Sequence, residues 1–98
     1  MQIGIPKETF VGEARVAASP ETVKKFTKIG VDVYVAENAG NSAYFSDLDY
    51  EAAGAKICNQ TEAFQKELVL KVRTPQKDEL NYLKNGTTLV GMLEPYNK

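Results

Sequence analysis

The sequence contains no histidine, and this absence excludes several kinds of catalytic and metal site. The usual zinc ligand sets that include histidine, and the catalytic triads that depend on it, are excluded within this chain. Cys58 is the single cysteine, so no internal disulfide forms, which fits a reducing compartment. Because no neighbouring histidine activates its thiol, we expect Cys58 to be a small apolar filler near the end of a strand.

Long hydrophobic runs and nucleotide-binding glycine loops are also missing. No apolar run approaches the ~20 residues that cross a bilayer, and the N-terminus begins with strand-like residues rather than a signal peptide. Neither G-x-G-x-x-G after a strand nor G-x-x-x-x-G-K-[ST] occurs, so the chain lacks a recognised phosphate-binding loop of its own. The formal net charge of -1 gives no bias toward nucleic acid or an anionic membrane, and we expect no nucleic-acid partner.

Short apolar runs alternate with helix-like segments, a pattern that is typical of βαβ units and a parallel sheet. We therefore predict an α/β fold, a flavodoxin-like or Rossmann-like three-layer domain with a mostly parallel sheet of about five strands and right-handed crossovers. The predicted strands are residues 2–5, 31–35, 55–58, 68–72 and 87–93. The predicted helices are residues 20–29, 46–53, 61–66 and 78–84.

The first helix has clear start and stop signals. Ser19 suits the N-cap, Pro20 the first helical position, and Glu21 complements the positive end of the helix dipole. Gly30 is placed to end the helix in a left-handed conformation. The length of 98 residues predicts one small domain, and because no closing helix follows the last strand we expect residues 1–98 to be a fragment of a longer chain.

Charged residues follow two strands of the predicted sheet, where ligands of open parallel sheets bind. Lys7, Glu8 and Arg15 come after the first strand, and Lys71 and Arg73 stand at the end of the fourth. Since carboxyl ends of parallel strands meet at one edge of the sheet, Arg15 and Lys71 are expected to lie at the same edge.

Two interpretations of this pair stay open. Lys71 interrupts an apolar strand, so its ammonium needs an acidic partner, a ligand or a route to water. In the first interpretation Lys71 reaches solvent or pairs with Glu8, and Arg15 is an exposed loop residue. In the second, Arg15 and Lys71 form a two-cation site for a carboxylate or phosphate, with arginine giving the bidentate contact.

Four collinear blocks of the sequence carry a resemblance to a known family. They read IGIPKE followed by EARVAASPETVKKF, then AENAGNSAYFSDLDYEAAGAKI, LVLKVRTP and GTTLVGML. In this order and spacing they closely resemble the N-terminal domain of the alanine dehydrogenase and pyridine nucleotide transhydrogenase family, across essentially the whole chain.

The resemblance implies roles for individual residues. In alanine dehydrogenases the arginine of the R-V-A-x-x-P block and the lysine of the L-K-V block bind the substrate carboxylate and carbonyl, and they match Arg15 and Lys71. A catalytic histidine follows the last strand in those enzymes, and its position falls at about Glu94. Because alanine oxidation needs an acid/base group there, this departure counts against alanine dehydrogenase. We assign no catalytic and no metal-binding residue to this chain.

The resemblance is closest to the transhydrogenase alpha subunit. It implies the NAD(H)-binding component of a proton-translocating enzyme that transfers a hydride between NAD(H) and NADP(H). The expected partners are the NADP(H)-binding and membrane components and further copies of the same chain. The expected location is cytoplasmic, peripheral to the inner membrane. The family's dinucleotide fingerprint lies beyond residue 98, so the isolated fragment is expected to be inactive and to bind no cofactor. Alanine dehydrogenase and a non-catalytic anion-binding domain remain the alternatives.

Overall fold

The computed structural model describes residues 1–73, 79–84 and 86–91, and these residues form a parallel sheet with helices packed on it. The strands are β1 (Gln2–Ile5), β2 (Asp32–Ala36), β3 (Lys56–Cys58), β4 (Leu68–Lys71) and β5 (Thr88–Gly91). The helices are α1 (Pro20–Lys28), α2 (Asp47–Ala52) and α3 (Gln60–Ala63), with short 3₁₀ segments at Asn41–Ala43 and Glu79–Tyr82.

The five described strands lie in the order β3-β2-β1-β4-β5, and every neighbouring pair is parallel. The chain builds outward from β1 to β2 and β3, then returns to the other side of β1 to form β4 and β5. β1 is thus the central strand, and its Ile3 and Ile5 belong to the buried core. The predicted α/β fold with a parallel five-stranded sheet is confirmed.

Helices cover both faces of the sheet. At Gly4 of β1, an added Cβ would point at the backbone of Ala63 in α3, so this face of β1 lies directly against α3. Ile3 and Ile5 alternate with Gly4 and point away from α3, into the core that also contains Val23 of α1. α1 and α2 are joined side by side, since the Thr27 hydroxyl donates to the Ala53 carbonyl at 3.0 Å.

Side-chain caps start each of the three helices. Ser19 caps α1 by accepting from the Thr22 N–H, as predicted, and Ser46 forms a capping box with Asp49 at α2. α3 is capped by Asn59, which accepts from the Glu62 N–H at 2.8 Å, so the predicted cap at Thr61 is wrong by two positions. Asn and Ser side chains satisfy the first free N–H groups of a helix equally well.

The described residues 79–84 do not form the α-helix that was predicted at 78–84. Glu79–Tyr82 is a 3₁₀ segment, Leu80 is half exposed, and Glu79 rather than a leucine is buried. Residues 92–93, which the prediction placed in the last strand, and Asp78 lie outside the described residues. No helix among the described residues is long and apolar enough to cross a bilayer.

Gly4→Ala is expected to destabilise the fold because α3 leaves no room for a methyl group on β1. The new Cβ would overlap the carbonyl oxygen of Ala63 and lie 2.9 Å from its carbonyl carbon, and both atoms are backbone. Overpacking against backbone should lower the free energy of unfolding by about 3 kcal/mol or more. Urea denaturation measures the loss. Gly91→Ala in β5 is the control, since none of the described atoms lies within 4 Å of its added Cβ. Equal stability of the two variants would contradict the proposed contact.

Candidate functional site

The direction of chain progression reverses at β1, because β2 lies on one side of it and β4 on the other. In open α/β sheets such a reversal leaves a crevice between the loops that follow the two central strands. Here those loops are residues 6–18 after β1 and residues 72–73 after β4. We call this region the switch-point edge, and it is where both sequence-predicted site residues, Arg15 and Lys71, lie.

Lys71 is the last residue of β4, and its side chain is only 2% exposed. Its Nζ lies 3.0 Å from Glu8 Oε1 and 3.6 Å from Glu79 Oε1. A buried ammonium is stable only when paired and hydrogen-bonded, and these two carboxylates supply the pairing. This geometry agrees with the first of the two interpretations of Lys71, in which it pairs with Glu8.

Glu8 also joins the loop after β1 to the end of β4. Its Oε2 accepts the Val72 N–H at 2.7 Å, and its Oε1 accepts the Arg73 N–H at 3.3 Å. The preceding peptide is fixed as well, because the Gln60 amide accepts from Lys7 N–H and donates to Lys7 O, both at 2.8 Å. One loop is thereby held by β4 on one side and by α3 on the other.

Arg15 is held by a different carboxylate, that of Glu13. Its Nε donates to Glu13 Oε2 at 2.8 Å and its second guanidinium nitrogen to Oε1 at 2.9 Å, a bidentate pair. The Arg73 Nε donates to the same Oε1 at 2.8 Å, and its guanidinium stacks on Phe10, 4.1 Å from the ring centre. Among the described residues, two guanidinium groups thus share the single carboxylate of Glu13.

The electrostatics of this cluster are dominated by Glu13. Hydrogen bonds from Arg15, followed by those from Arg73, lower the pKa of the Glu13 carboxyl from 4.5 to about 2 against the opposing effect of burial. The same hydrogen bond raises the pKa of Arg15, and the charge of Glu8 adds to this effect. Glu13 is therefore ionised throughout the physiological range, although its side chain is only 2% exposed.

The structure brings Arg15 and Lys71 to one edge but gives each its own carboxylate partner among the described residues. The Arg15 side chain is 57% exposed, whereas Lys71 is buried. A shared anion between these two cations stays a prediction. Glu94, at the position of the family's histidine, lies outside the described residues.

Sequence reasoning gave no role to Glu13, Glu79 or Gln60. Glu13 and Arg15 are two positions apart in the loop, and this short spacing could have predicted their ion pair. Gln60 gave no such signal, because it meets Lys7 from 53 positions away. Glu79 gave none, because it stands in a segment where Leu80 and Leu83 were the residues expected to face inward.

Cys58 is a buried residue at the end of β3, as expected. Burial, followed by the charge of Glu62, raises the pKa of its thiol to about 11, so the thiol stays protonated and is a poor nucleophile. Within residues 1–73, 79–84 and 86–91, no three histidine, cysteine, aspartate or glutamate side chains are grouped closely enough to hold a metal ion.

A parallel sheet with this order, helices on both faces and charged loops at the reversal define a Rossmann-like α/β domain. Comparison with known proteins gives the family. The family model for the alanine dehydrogenase/PNT N-terminal domain matches residues 4–98, and the chain belongs to this family.

Individual relatives come from both branches of the family. NAD(P) transhydrogenase subunit alpha of Haemophilus influenzae is 41% identical over 93 residues, which are 95% of this chain and 18% of that subunit. Alanine dehydrogenase 1 of Staphylococcus aureus is also 41% identical over 93 residues, 95% of this chain and 25% of that enzyme. The crystal structure of a transhydrogenase from Sinorhizobium meliloti matches with a TM-score of 0.90 and 35% identity, over 100% of this chain and 30% of that one. The chain therefore spans a quarter or less of the length of these two sequence relatives.

The Glu13 carboxyl is expected to titrate with a midpoint of about pH 2, and Arg15→Ala should raise that midpoint because Arg15 is its main hydrogen-bond donor. The depressed pKa means that ionised Glu13 stabilises the fold above about pH 4.5, and that this stabilisation is lost as the pH falls toward 2. Carbon NMR of the labelled carboxyl measures the midpoint. Lys28→Ala, at the exposed end of α1, is the control and should leave it unchanged. A midpoint near 4.5 in the unmodified chain would contradict the ion-pair geometry.

Proposed function

We propose that this chain is the N-terminal part of the NAD(H)-binding component of a proton-translocating NAD(P) transhydrogenase. In the complete enzyme that component exchanges a hydride with NADP(H) held by another component. Overall identity does not separate this proposal from alanine dehydrogenase, because relatives of both kinds are 41% identical to the chain. The choice between them depends on individual residues.

The observation that carries the proposal is the absence of histidine from all 98 residues. Oxidation of alanine transfers the hydride of its amino-bearing carbon to NAD⁺ and releases protons from the nitrogen and from the water that attacks the imine, so a group must take up and return protons near neutral pH. Histidine suits this task because its ordinary pKa lies close to 6.5. Glu94 stands at about the position of the family's histidine. At neutral pH an ordinary glutamate is already ionised and is a weak base. Hydride exchange between two nicotinamides needs no such group.

The ion pairs at the switch-point edge support the same choice. A site for a substrate acid needs cations that face the ligand, and Lys71 instead faces Glu8 and Glu79. The bidentate position of the Arg15 guanidinium is filled by Glu13. Both cations are thus paired with carboxylates of the chain itself, which suits a loop-ordering role better than substrate binding.

We propose that the described residues hold no dinucleotide phosphate site. Such a site uses free backbone N–H groups at a helix N-terminus that follows a glycine-rich turn. At α1 the Ser19 hydroxyl already accepts the Thr22 N–H, Pro20 has no N–H, and Glu21 would repel a phosphate. We therefore propose that the residues that bind NAD(H) lie outside residues 1–98, in a longer chain. On the same grounds, its partners would be the NADP(H)-binding and membrane components and further copies of this chain, with peripheral attachment to the inner membrane.

Alanine dehydrogenase is the second candidate, favoured by the match of Arg15 and Lys71 to the family's substrate-binding positions. A free-standing anion-binding domain is the third, favoured by the 57% exposed guanidinium of Arg15. Both require the two cations to exchange their present carboxylate partners for a ligand.

Two chimaeras test the proposal. This chain replaces the matched segment of the Haemophilus influenzae alpha subunit in one, and that of the Staphylococcus aureus alanine dehydrogenase in the other. We expect the first, assembled with its partner components, to retain hydride transfer from NADPH to an NAD⁺ analogue. We expect the second to lose alanine-dependent NAD⁺ reduction by about 10²-fold or more, the usual contribution of a general acid/base.

Glu94→His in the alanine dehydrogenase chimaera is the matched variant and should restore part of the alanine turnover. The thermal stability of both chimaeras, measured beside their parent enzymes, shows whether each has folded. Alanine turnover with Glu94 in place, at the level of the parent enzyme, would show that the proposal is wrong.

The isolated chain is expected to bind NADH weakly, with a dissociation constant of about 1 mM or more, because a single anion contact without a phosphate-binding turn gives little affinity. Isothermal titration calorimetry with NADH measures this. Micromolar binding that disappears in Arg15→Ala or Lys71→Ala would place the nucleotide site in this domain and overturn its assignment to a downstream segment.

A further inference from the structure

The two helices that lie side by side, α1 and α2, carry opposite charges. α1 has three exposed lysines and a single acidic residue, whereas α2 has three acidic residues and no basic one. The lysines are Lys24, Lys25 and Lys28, and the acidic residues of α2 are Asp47, Asp49 and Glu51. We call the outer side of these two helices the α1–α2 surface. It is basic on one half and acidic on the other.

The charges of this surface are not paired with one another inside the chain. None of the ion pairs among the described residues joins a lysine of α1 to an acidic residue of α2, and none involves Glu51. Leu48, three positions before Glu51 and therefore on the same side of α2, is 74% exposed and adds apolar area. The surface thus offers both charges and apolar area to a partner.

The basic and acidic residues stand at matching heights along the two helices. Each helix connects one parallel strand to the next, so both run in the same direction across the sheet. The Thr27 hydroxyl donates to the Ala53 carbonyl at 3.0 Å, which places these two residues at about the same height. Lys25 stands two positions before Thr27, and Glu51 stands two positions before Ala53. Because the rise per residue is the same in both helices, Lys25 and Glu51 are also level.

We infer that the α1–α2 surface binds a second copy of this chain, with the basic helix of each copy on the acidic helix of the other. A two-fold axis that runs between the helices and parallel to them places α1 of one copy on α2 of its partner. Such an axis keeps every residue at its own height, so Lys25 of each copy meets Glu51 of the other. An anionic membrane or a nucleic acid would fit only the basic half of this surface and would be repelled by the acidic half.

The inference adds a contact surface to the further copies of the chain that the proposed function includes, and it rests on that part of the proposal alone. The surface is small, because α1 has nine residues and α2 has six. It therefore falls below the roughly 1,600 Å² that a stable interface usually buries. We expect the isolated chain to form a weak dimer, with a dissociation constant of about 100 µM at low ionic strength.

Sedimentation equilibrium of the chain at concentrations up to about 1 mM measures this dimer. Lys25→Glu changes two contacts at once, since the two-fold axis repeats the pair, and should weaken dimerisation by about 10-fold or more. Glu51→Lys should have the same effect. The double variant Lys25→Glu/Glu51→Lys has the net charge of the unmodified chain and restores the attraction with the signs exchanged. Its dissociation constant should return to within about threefold of the unmodified value.

Lys84→Glu is the matched control, because it makes the same charge change at an exposed lysine outside both helices. It should leave the dissociation constant within about twofold of the unmodified value, since exposed charges far from the contact are screened. Thermal melting followed by circular dichroism shows that each variant has folded.

A chain that stays monomeric at the highest concentration would overturn the inference. So would equal dimerisation of Lys25→Glu and the unmodified chain, or a double variant that dimerises no more tightly than the two single variants. These outcomes are separate from the test of the proposed function, because sedimentation needs no nucleotide, whereas the chimaeras report on hydride transfer and on the acid/base position.

Discussion

The ammonium of Lys71 is buried at the carboxyl end of β4, and the surrounding chain is arranged to neutralise it. The loop after β1 brings Glu8 to it, and the same carboxylate satisfies the backbone N–H groups that leave β4. Gln60 fixes that loop from the α3 side. Losing one partner of a buried pair generally costs 3–5 kcal/mol or so, because it leaves the other charge unpaired. The conformation of the switch-point edge therefore depends on this pair.

A second carboxylate extends the arrangement to the surface. The Arg73 N–H is bound by Glu8 while its guanidinium is bound by Glu13, so the two acidic residues of the loop hold one residue after β4 from both ends. Arg15 joins from the solvent side. This network links a buried charge to an exposed one, and it explains why so many charged residues stand between β1 and α1. They order the loop at the place where domains of this class meet their ligands.

The sequence predicted the strands closely because apolar runs of four or five residues bounded by polar turns leave little ambiguity. It predicted α1 because the start and stop signals of a helix are local as well. Ser19, Pro20 and Gly30 each act within one turn of their own positions. It was wrong at 78–84, where the spacing of Leu80 and Leu83 indicated an amphipathic helix. There Glu79 is buried against Lys71 while Leu80 is half exposed, so an ion pair between two elements took the place of the apolar contact that the local pattern predicted.

The sequence by itself determined the α/β class, the family and the edge at which Arg15 and Lys71 lie, because these follow from periodicity, from collinear motifs and from the rule that parallel strands end together. Tertiary structure decided which carboxylate each cation meets. Glu8 and Lys71 are 63 positions apart, an interval that the local pattern does not restrict. Tertiary structure also decided that position 4 must be glycine, because the backbone of Ala63, and not a turn in β1, leaves no room for a side chain there. Both are set by how separate segments pack, which is a property of the assembled sheet and helices and not of any one segment.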